Sequence, residues 1–288
     1  MDSGRRRFLR IAGFGVLLGA GGGTLRRLTH GIPAARAASP DFNQDDVQGG
    51  ASRSLGPDSA GQKATAHGLT AGRWALIVDT RRCQEKTARD GCRDCIQACH
   101  AIHNVPAIPD PSHELKWLWK EPYANAFPDQ HHSFVPEGIR SRLFPVLCNH
   151  CDNPPCVRVC PAKATFKRPD GIVAVDYHRC IGCRYCMAAC PYGARSFNWG
   201  DPRLHLDPAK ITPGFPTRTR GVVEKCNFCE ERLSAGMSPA CVEACREGAL
   251  IFGDLSNPES EPRKMLRLAY TIQRRPEIGT GPAVYYVL

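Results

Sequence analysis

The chain has 288 residues, 42% of them hydrophobic, with 38 Lys+Arg against 28 Asp+Glu for a formal net charge of +10. A chain of this length can build a core without covalent staples, which argues against a small secreted disulfide framework as the reason for its 16 cysteines. Residues 1–37 hold seven arginines and one acid, leaving 31 basic and 27 acidic residues beyond them, too mild an excess to point to nucleic acid or an anionic membrane surface.

Residues 1–37 read as an export signal. Arg5-Arg6-Arg7-Phe8-Leu9-Arg10 resembles the twin-arginine motif, with Arg10 where lysine is usual, and an apolar glycine-rich run from Ile11 to Gly23 follows. Ala35-Arg36-Ala37 supplies a small-x-small cleavage site, although Arg26-Arg27 between run and site are unusual. The run falls short of the roughly 20 apolar residues that span a bilayer, so an uncleaved anchor is the weaker reading. Residues 38–70, rich in Gly, Ser, Asp and Gln, read as a flexible leader. The folded body, 71–253, opens on a strand-like run, Arg73 to Asp79, that leads into Cys83.

All sixteen cysteines fall into four groups of four, each closing on C-x3-C. Cys83, Cys92, Cys95 and Cys99 form the first, in which eight residues separate the first two ligands, a loop whose closure costs only logarithmically more. An insertion at about 104–144 follows, dense in prolines and in aromatics (Trp117, Trp119, Tyr123, Phe127, Phe134, Phe144) that read as capping a small core, with an interface as the alternative. Cys148, Cys151, Cys156 and Cys160 form the second group, and residues 164–176 then read as a hairpin turning at Pro169-Asp170-Gly171. Cys180, Cys183, Cys186 and Cys190 form the third group, residues 200–221 a surface loop, and Cys226, Cys229, Cys241 and Cys245 the fourth group. Residues 254–288 read as a C-terminal extension, with Arg263, Lys264, Arg267, Arg274 and Arg275 on a solvated face before a β-prone end, Val284 to Val287.

The third group, with Pro191, is C-x2-C-x2-C-x3-C-P, the spacing that holds a [4Fe–4S] cubane, its first three thiolates on one cluster and the fourth reaching a neighbour. Sixteen thiolates suffice for four cubanes. Zinc is the competing reading, since C-x2-C-x11-C-x3-C in the fourth group passes for a zinc site in isolation. Three thiols between Cys180 and Cys186 suit a cubane face better than a tetrahedral ion. The segments after Cys160, Cys190 and Cys245 repeat one plan, an alanine four residues on (Ala164, Ala194, Ala249) and then a strand ending in Phe. The expected fold is therefore α+β: tandem bacterial-ferredoxin-like modules, two pseudo-repeats and four cubane sites, with loop insertions. His100, His103, His131, His132 and His150 are not needed as ligands and read as neighbours of the clusters or surface groups. No nucleophile–base pair, phosphate loop or dinucleotide fingerprint stands out, so electron transfer is expected without a substrate-converting site. Iron-bound thiolates are not free to form disulfides, and the twin-arginine route carries folded cargo, so cofactor and export agree.

From Trp74 to Leu288 the chain resembles the four-cluster iron–sulfur subunits that accompany molybdopterin oxidoreductases and related membrane complexes. That group includes polysulfide, tetrathionate and dimethyl-sulfoxide reductase electron-transfer subunits and the iron–sulfur protein of formate-dependent nitrite reduction. The run from Cys180 to Arg195 is shared across it. The twin-arginine signal, the stretch Cys99 to Pro106 and the stretch Lys120 to Pro128 narrow the resemblance to periplasmic subunits of dissimilatory sulfur metabolism, the DsrO type. The resemblance implies four ligand sets: Cys83, Cys92, Cys95 with Cys245; Cys226, Cys229, Cys241 with Cys99; Cys148, Cys151, Cys156 with Cys190; and Cys180, Cys183, Cys186 with Cys160. It also implies a periplasmic protein, peripheral to the inner membrane, partnered by an integral membrane quinone-interacting subunit, a periplasmic multihaem cytochrome c and other subunits of a membrane redox complex. The alternative within the resemblance is the electron-transfer subunit of a molybdopterin tetrathionate, polysulfide or nitrite-linked reductase.

Overall fold

The computed structural model describes residues 68–288, so the export signal and nearly all of the leader lie outside the described residues. In chain order the elements are β1 (Trp74–Asp79), α1 (Thr80–Asp90), α2 (Asp94–Ile102), β2 (Leu118–Pro122), α3 (Tyr123–Ala126), α4 (Glu137–Arg140), β3 (Leu143–Leu147), α5 (Pro155–Arg158), β4 (Thr165–Lys167), β5 (Val173–Val175), α6 (Tyr185–Ala189), β6 (Ser196–Phe197), β7 (Val223–Glu224), α7 (Glu230–Ser234), α8 (Ala240–Glu243), β8 (Leu250–Asp254), α9 (Glu261–Leu268), β9 (Thr271–Ile272) and β10 (Val284–Val287). The fold is α+β. No helix among the described residues is long and apolar enough to cross a membrane.

All six residues of β1 are buried: Trp74 to Val78 form a continuous apolar run, and the strand has paired neighbours on both edges. It pairs antiparallel with β8 and parallel with β10, and β9 completes the order β8-β1-β10-β9. Asp79 ends β1 and starts α1: its carboxylate accepts from the Arg81 and Arg82 amides at 3.1 and 3.2 Å, satisfying donors that a helix start leaves free. Gly91 closes α1 at φ 64°, a left-handed conformation that glycine adopts without steric cost. The strand-and-cap pair thus sets Cys83 on α1 and Cys92 just past its end.

The aromatics of 104–144 join the main core rather than capping a separate one. Trp117, Phe127 and Phe144 are fully buried, and Phe127 meets the edges of Phe144 and Tyr286 at 5.2 and 5.1 Å; Phe134 alone of the set lies open, 87% exposed. Strand β2, from this segment, pairs antiparallel with β3. The hairpin read from 164–176 forms as β4 and β5, and β6 pairs with β7 in the equivalent place after Cys190. Two readings need correction. Arg274 is not solvated but 5% exposed, donating to the Ala126 carbonyl at 2.8 Å and lying over the Tyr192 ring. The loop 200–221 is partly internal, because the Asn104 amide donates to the Thr212 and Phe215 carbonyls and draws Phe215 against Trp117.

Candidate cluster sites

A C-x3-C pair spans one helical turn, so both thiols face the same way. Each group closes on such a pair, and three of the helices that carry its first cysteine are only four or five residues long. Helices that short are marginal alone and depend on what they pack against. The structure gathers the thiols from distant parts of the chain. Cys83, Cys92, Cys95 and Cys245 line one cavity together with Lys120 and Arg246. Cys99, Cys226, Cys229 and Cys241 line a second, walled by Leu76, Leu118, Leu147, Phe228 and Phe252. Cys148, Cys151, Cys156 and Cys190 line a third, with Asn149, Tyr192 and Arg195. Cys180 and Cys186 share an apolar cluster with Cys156, Val173 and Val223, which brings the third group beside the third cavity. Cys160 accepts from the Thr165 amide at 3.4 Å; Cys160, Cys180 and Cys183 are half-buried, and Cys186 is buried.

All sixteen cysteines are unpaired with one another. Burial pushes the Cys95, Cys151 and Cys226 thiols up to about 12, and raises Cys99, Cys229 and Cys241 strongly as well. Four thiolates cannot share such a space alone, since each repels the others in a low dielectric; a cationic metal core removes the obstacle. The surroundings suit an iron–sulfur core. In the third cavity, Nδ2 of the buried Asn149 and Nη2 of the buried Arg195 have no hydrogen-bond partner in the protein, and both residues line the space where sulfur acceptors would lie. In the second, the Phe228 amide donates to Cys226 Sγ at 3.4 Å. Phe228 and Cys229 both sit at positive φ, 56° and 54°, a strained left-handed pair that wraps the backbone around this site.

His103 is buried beside Cys99, with Nδ1 3.7 Å from its Sγ and 2.9 Å from its carbonyl oxygen, and its ring stacks on Trp117 at 4.5 Å. Its Nε2 lies 2.9 Å from Glu231 Oε1, so the near grouping of His103, Cys229 and Glu231, within 4.8 Å, is an imidazole–carboxylate pair backing the second cavity. His150 is fully buried, stacked 3.7 Å from Phe228, and its Nδ1 accepts from the Val173 amide. His131 and His132 are exposed.

Charged neighbours of the cavities were not read from the sequence. Lys225 is 2% exposed and its Nζ donates to the Val173 carbonyl and, at 2.8 Å, to the Cys226 carbonyl, so it sits between the second and third cavities. Lys120 Nζ donates to the Cys92 carbonyl and to Thr87 Oγ1 at the first. Arg218 and Glu224 form a fully buried ion pair, and Glu224 also accepts from Trp117 Nε1 at 2.7 Å. A lysine directly before Cys226, and an arginine where the repeat otherwise has an uncharged residue, were the signals available.

Two family models, both described as a 4Fe–4S dicluster domain, match residues 139–205 and 179–250. The chain is 44% identical over 231 residues to the "Hdr-like menaquinol oxidoreductase iron-sulfur subunit 1" of Archaeoglobus fulgidus, covering 74% of this chain and 82% of that protein. It is 38% identical over 240 residues to the "Menaquinone reductase, iron-sulfur cluster-binding subunit" of Nitratidesulfovibrio vulgaris, covering 75% and 88%. It is also 39% identical over 218 residues to a subunit of the tetrathionate reductase of Salmonella typhimurium, covering 75% and 72%.

Proposed function

Because this chain belongs to the family of 4Fe–4S electron-transfer subunits of reductase complexes, we propose that it carries four [4Fe–4S] clusters and relays electrons to or from a membrane quinone-interacting subunit. The observation that carries the reading is the gathering of thiols into three four-cysteine cavities, each taking three thiols from one group and the closing thiol of another. When bound, each cluster supplies a one-electron couple. The protein's own residues hold it by thiolate, exclude water with Leu76, Phe228 and Tyr192, and set fixed charge near it with Lys120, Lys225 and Arg195.

The reductase reading draws more support from the relatives, several of which are named as components of tetrathionate, polysulfide, arsenate or selenate reductases, and it takes a reductase subunit as the second partner. A second reading, favoured by the resemblance to DsrO-type subunits, takes a periplasmic multihaem cytochrome c as that partner, in dissimilatory sulfur metabolism within a DsrMKJOP-type complex. Both place the mature protein in the periplasm, against the inner membrane, after twin-arginine export. Co-purification from native membranes separates them: a molybdopterin subunit supports the first, a multihaem cytochrome the second. Iron and acid-labile sulfide analysis with low-temperature EPR tests the clusters themselves, and zinc without iron or EPR signal would overturn the proposal.

A further inference from the structure

Arg195 stands where the repeat places uncharged residues. Five residues after the closing cysteine come Thr165, Arg195 and Leu250 in the three repeated segments. Arg195 is 5% exposed and makes no ion pair with a carboxylate among the described residues. One guanidinium nitrogen, Nη1, donates to its repeat equivalent, Thr165 Oγ1, at 3.1 Å; the other, Nη2, has no partner in the protein. A buried guanidinium without a counter-ion is costly, so such a group calls for an anion within reach. The groups in reach are thiols of two different sets. Arg195 lines the cavity of Cys148, Cys151, Cys156 and Cys190, and Cys186 of the third group packs in one cluster with Cys156 of that cavity. Cys156 and Cys186 lie in one apolar cluster with Val173 and Val223, so the two sites adjoin there.

We propose that Arg195 is a redox-setting residue shared by two neighbouring clusters, its forked guanidinium directed at ligand sulfurs of both and raising the potential of both. The inference rests on the four-cluster reading above. Adding one electron to a cluster adds one negative charge, and a fixed cation close by in a dry site favours the reduced form. In a hop between the two sites, one is oxidised by one electron and the other reduced by one, with no bond or proton moving. A single shared cation therefore lifts both sides of the hop together and keeps the step between them small. Arginine suits this better than lysine because its donors point along several directions in one plane while the charge never titrates.

The test is an EPR-monitored redox titration of the purified full-length holoprotein in wild type, Arg195→Gln and Arg195→Lys. Arg195→Gln is expected to move two of the four one-electron couples to lower potential and leave the other two in place. The two that move should be those whose signals change in Cys190→Ser and Cys183→Ser. Arg195→Lys, which keeps the charge without the fork, should retain all four couples with a smaller displacement of the same two. Unchanged couples in Arg195→Gln, equal displacement of all four, or loss of clusters in both variants would overturn the proposal, the last by giving Arg195 a purely structural part. A wild-type protein without iron–sulfur signals would instead remove the four-cluster reading on which the inference stands.

Discussion

Replacing Arg218 by methionine should destabilise the protein by about 3 kcal/mol, the low end of the cost of breaking a buried ion pair. The arginine side chain is 1% exposed and its partner Glu224 0%. Arg218 meets Glu224 Oε2 through Nε at 2.8 Å and Nη2 at 2.6 Å, and donates to the Asn104 carbonyl at 3.0 Å and to that of His103. Methionine restores much of the packing over Trp117 but none of these bonds, leaving a buried carboxylate and the carbonyls of His103, Asn104 and Pro216 short of donors. Glu224 keeps Trp117 Nε1 at 2.7 Å and Asn198 Nδ2 at 2.6 Å, which is why the low end applies. Cluster loss would make unfolding irreversible, so the defined quantity is a rate. About 3 kcal/mol corresponds to roughly a hundredfold faster loss of visible absorbance in fixed guanidinium, if most of the cost falls on unfolding. The double variant Arg218→Met/Glu224→Gln removes the orphaned charge and should recover at least half of that on the logarithmic scale. A single variant within about threefold of wild type, or a double variant no better than the single, would refute the reasoning.

Cys190→Ser places a harder oxygen ligand in the cavity of Cys148, Cys151 and Cys156, and should weaken or convert one cluster while the others persist; an EPR change matching that of Cys183→Ser would show that Cys190 serves its own group instead. Gly182→Ala, between Cys180 and Cys183, puts a Cβ at φ 70° against the Gly221 carbonyl and 3.2 Å from the Phe197 ring. The left-handed conformation alone costs about 1–2 kcal/mol and the backbone collision adds to it, so iron content should fall by about one cluster per chain; full iron with an unchanged spectrum would contradict the local geometry. Changing Arg5 and Arg6 together to lysine should hold cluster-loaded precursor in the cytoplasm, and normal periplasmic delivery of that variant, followed by cell fractionation, would sink the export assignment.

What the spacing of residues made legible is local. Trp74 to Val78 are apolar at every position and form a strand buried on both faces; the run from Ala164 to Asp176 turns at Pro169-Asp170-Gly171 and forms a hairpin. Each depends on neighbours a few positions away, where periodicity and turn chemistry act. The buried charges were not legible, because burial of a lysine or arginine depends on which carbonyls arrive around it. Lys225 is held by Val173, 52 residues away, and Arg218 by His103, 115 residues away. The insertion misled for the same reason: a cluster of aromatics announces apolar burial but not against what, and Phe127 finds Tyr286 near the other end of the chain.

By itself, then, the sequence pointed to the chemistry: sixteen thiols in four groups, each closing on a one-turn C-x3-C pair, favour soft metal ligation, because C-x3-C sets two sulfurs one turn apart on a helix. Only the tertiary structure decided which sulfurs share a space. Cys99 stands with Cys226, Cys229 and Cys241 across more than 120 residues because β1 takes β8 on one edge and β10 on the other, closing both ends of the described residues around the same core. Tertiary packing likewise sets Arg195 on the cavity of Cys148, Cys151, Cys156 and Cys190, a juxtaposition that no local pattern encodes.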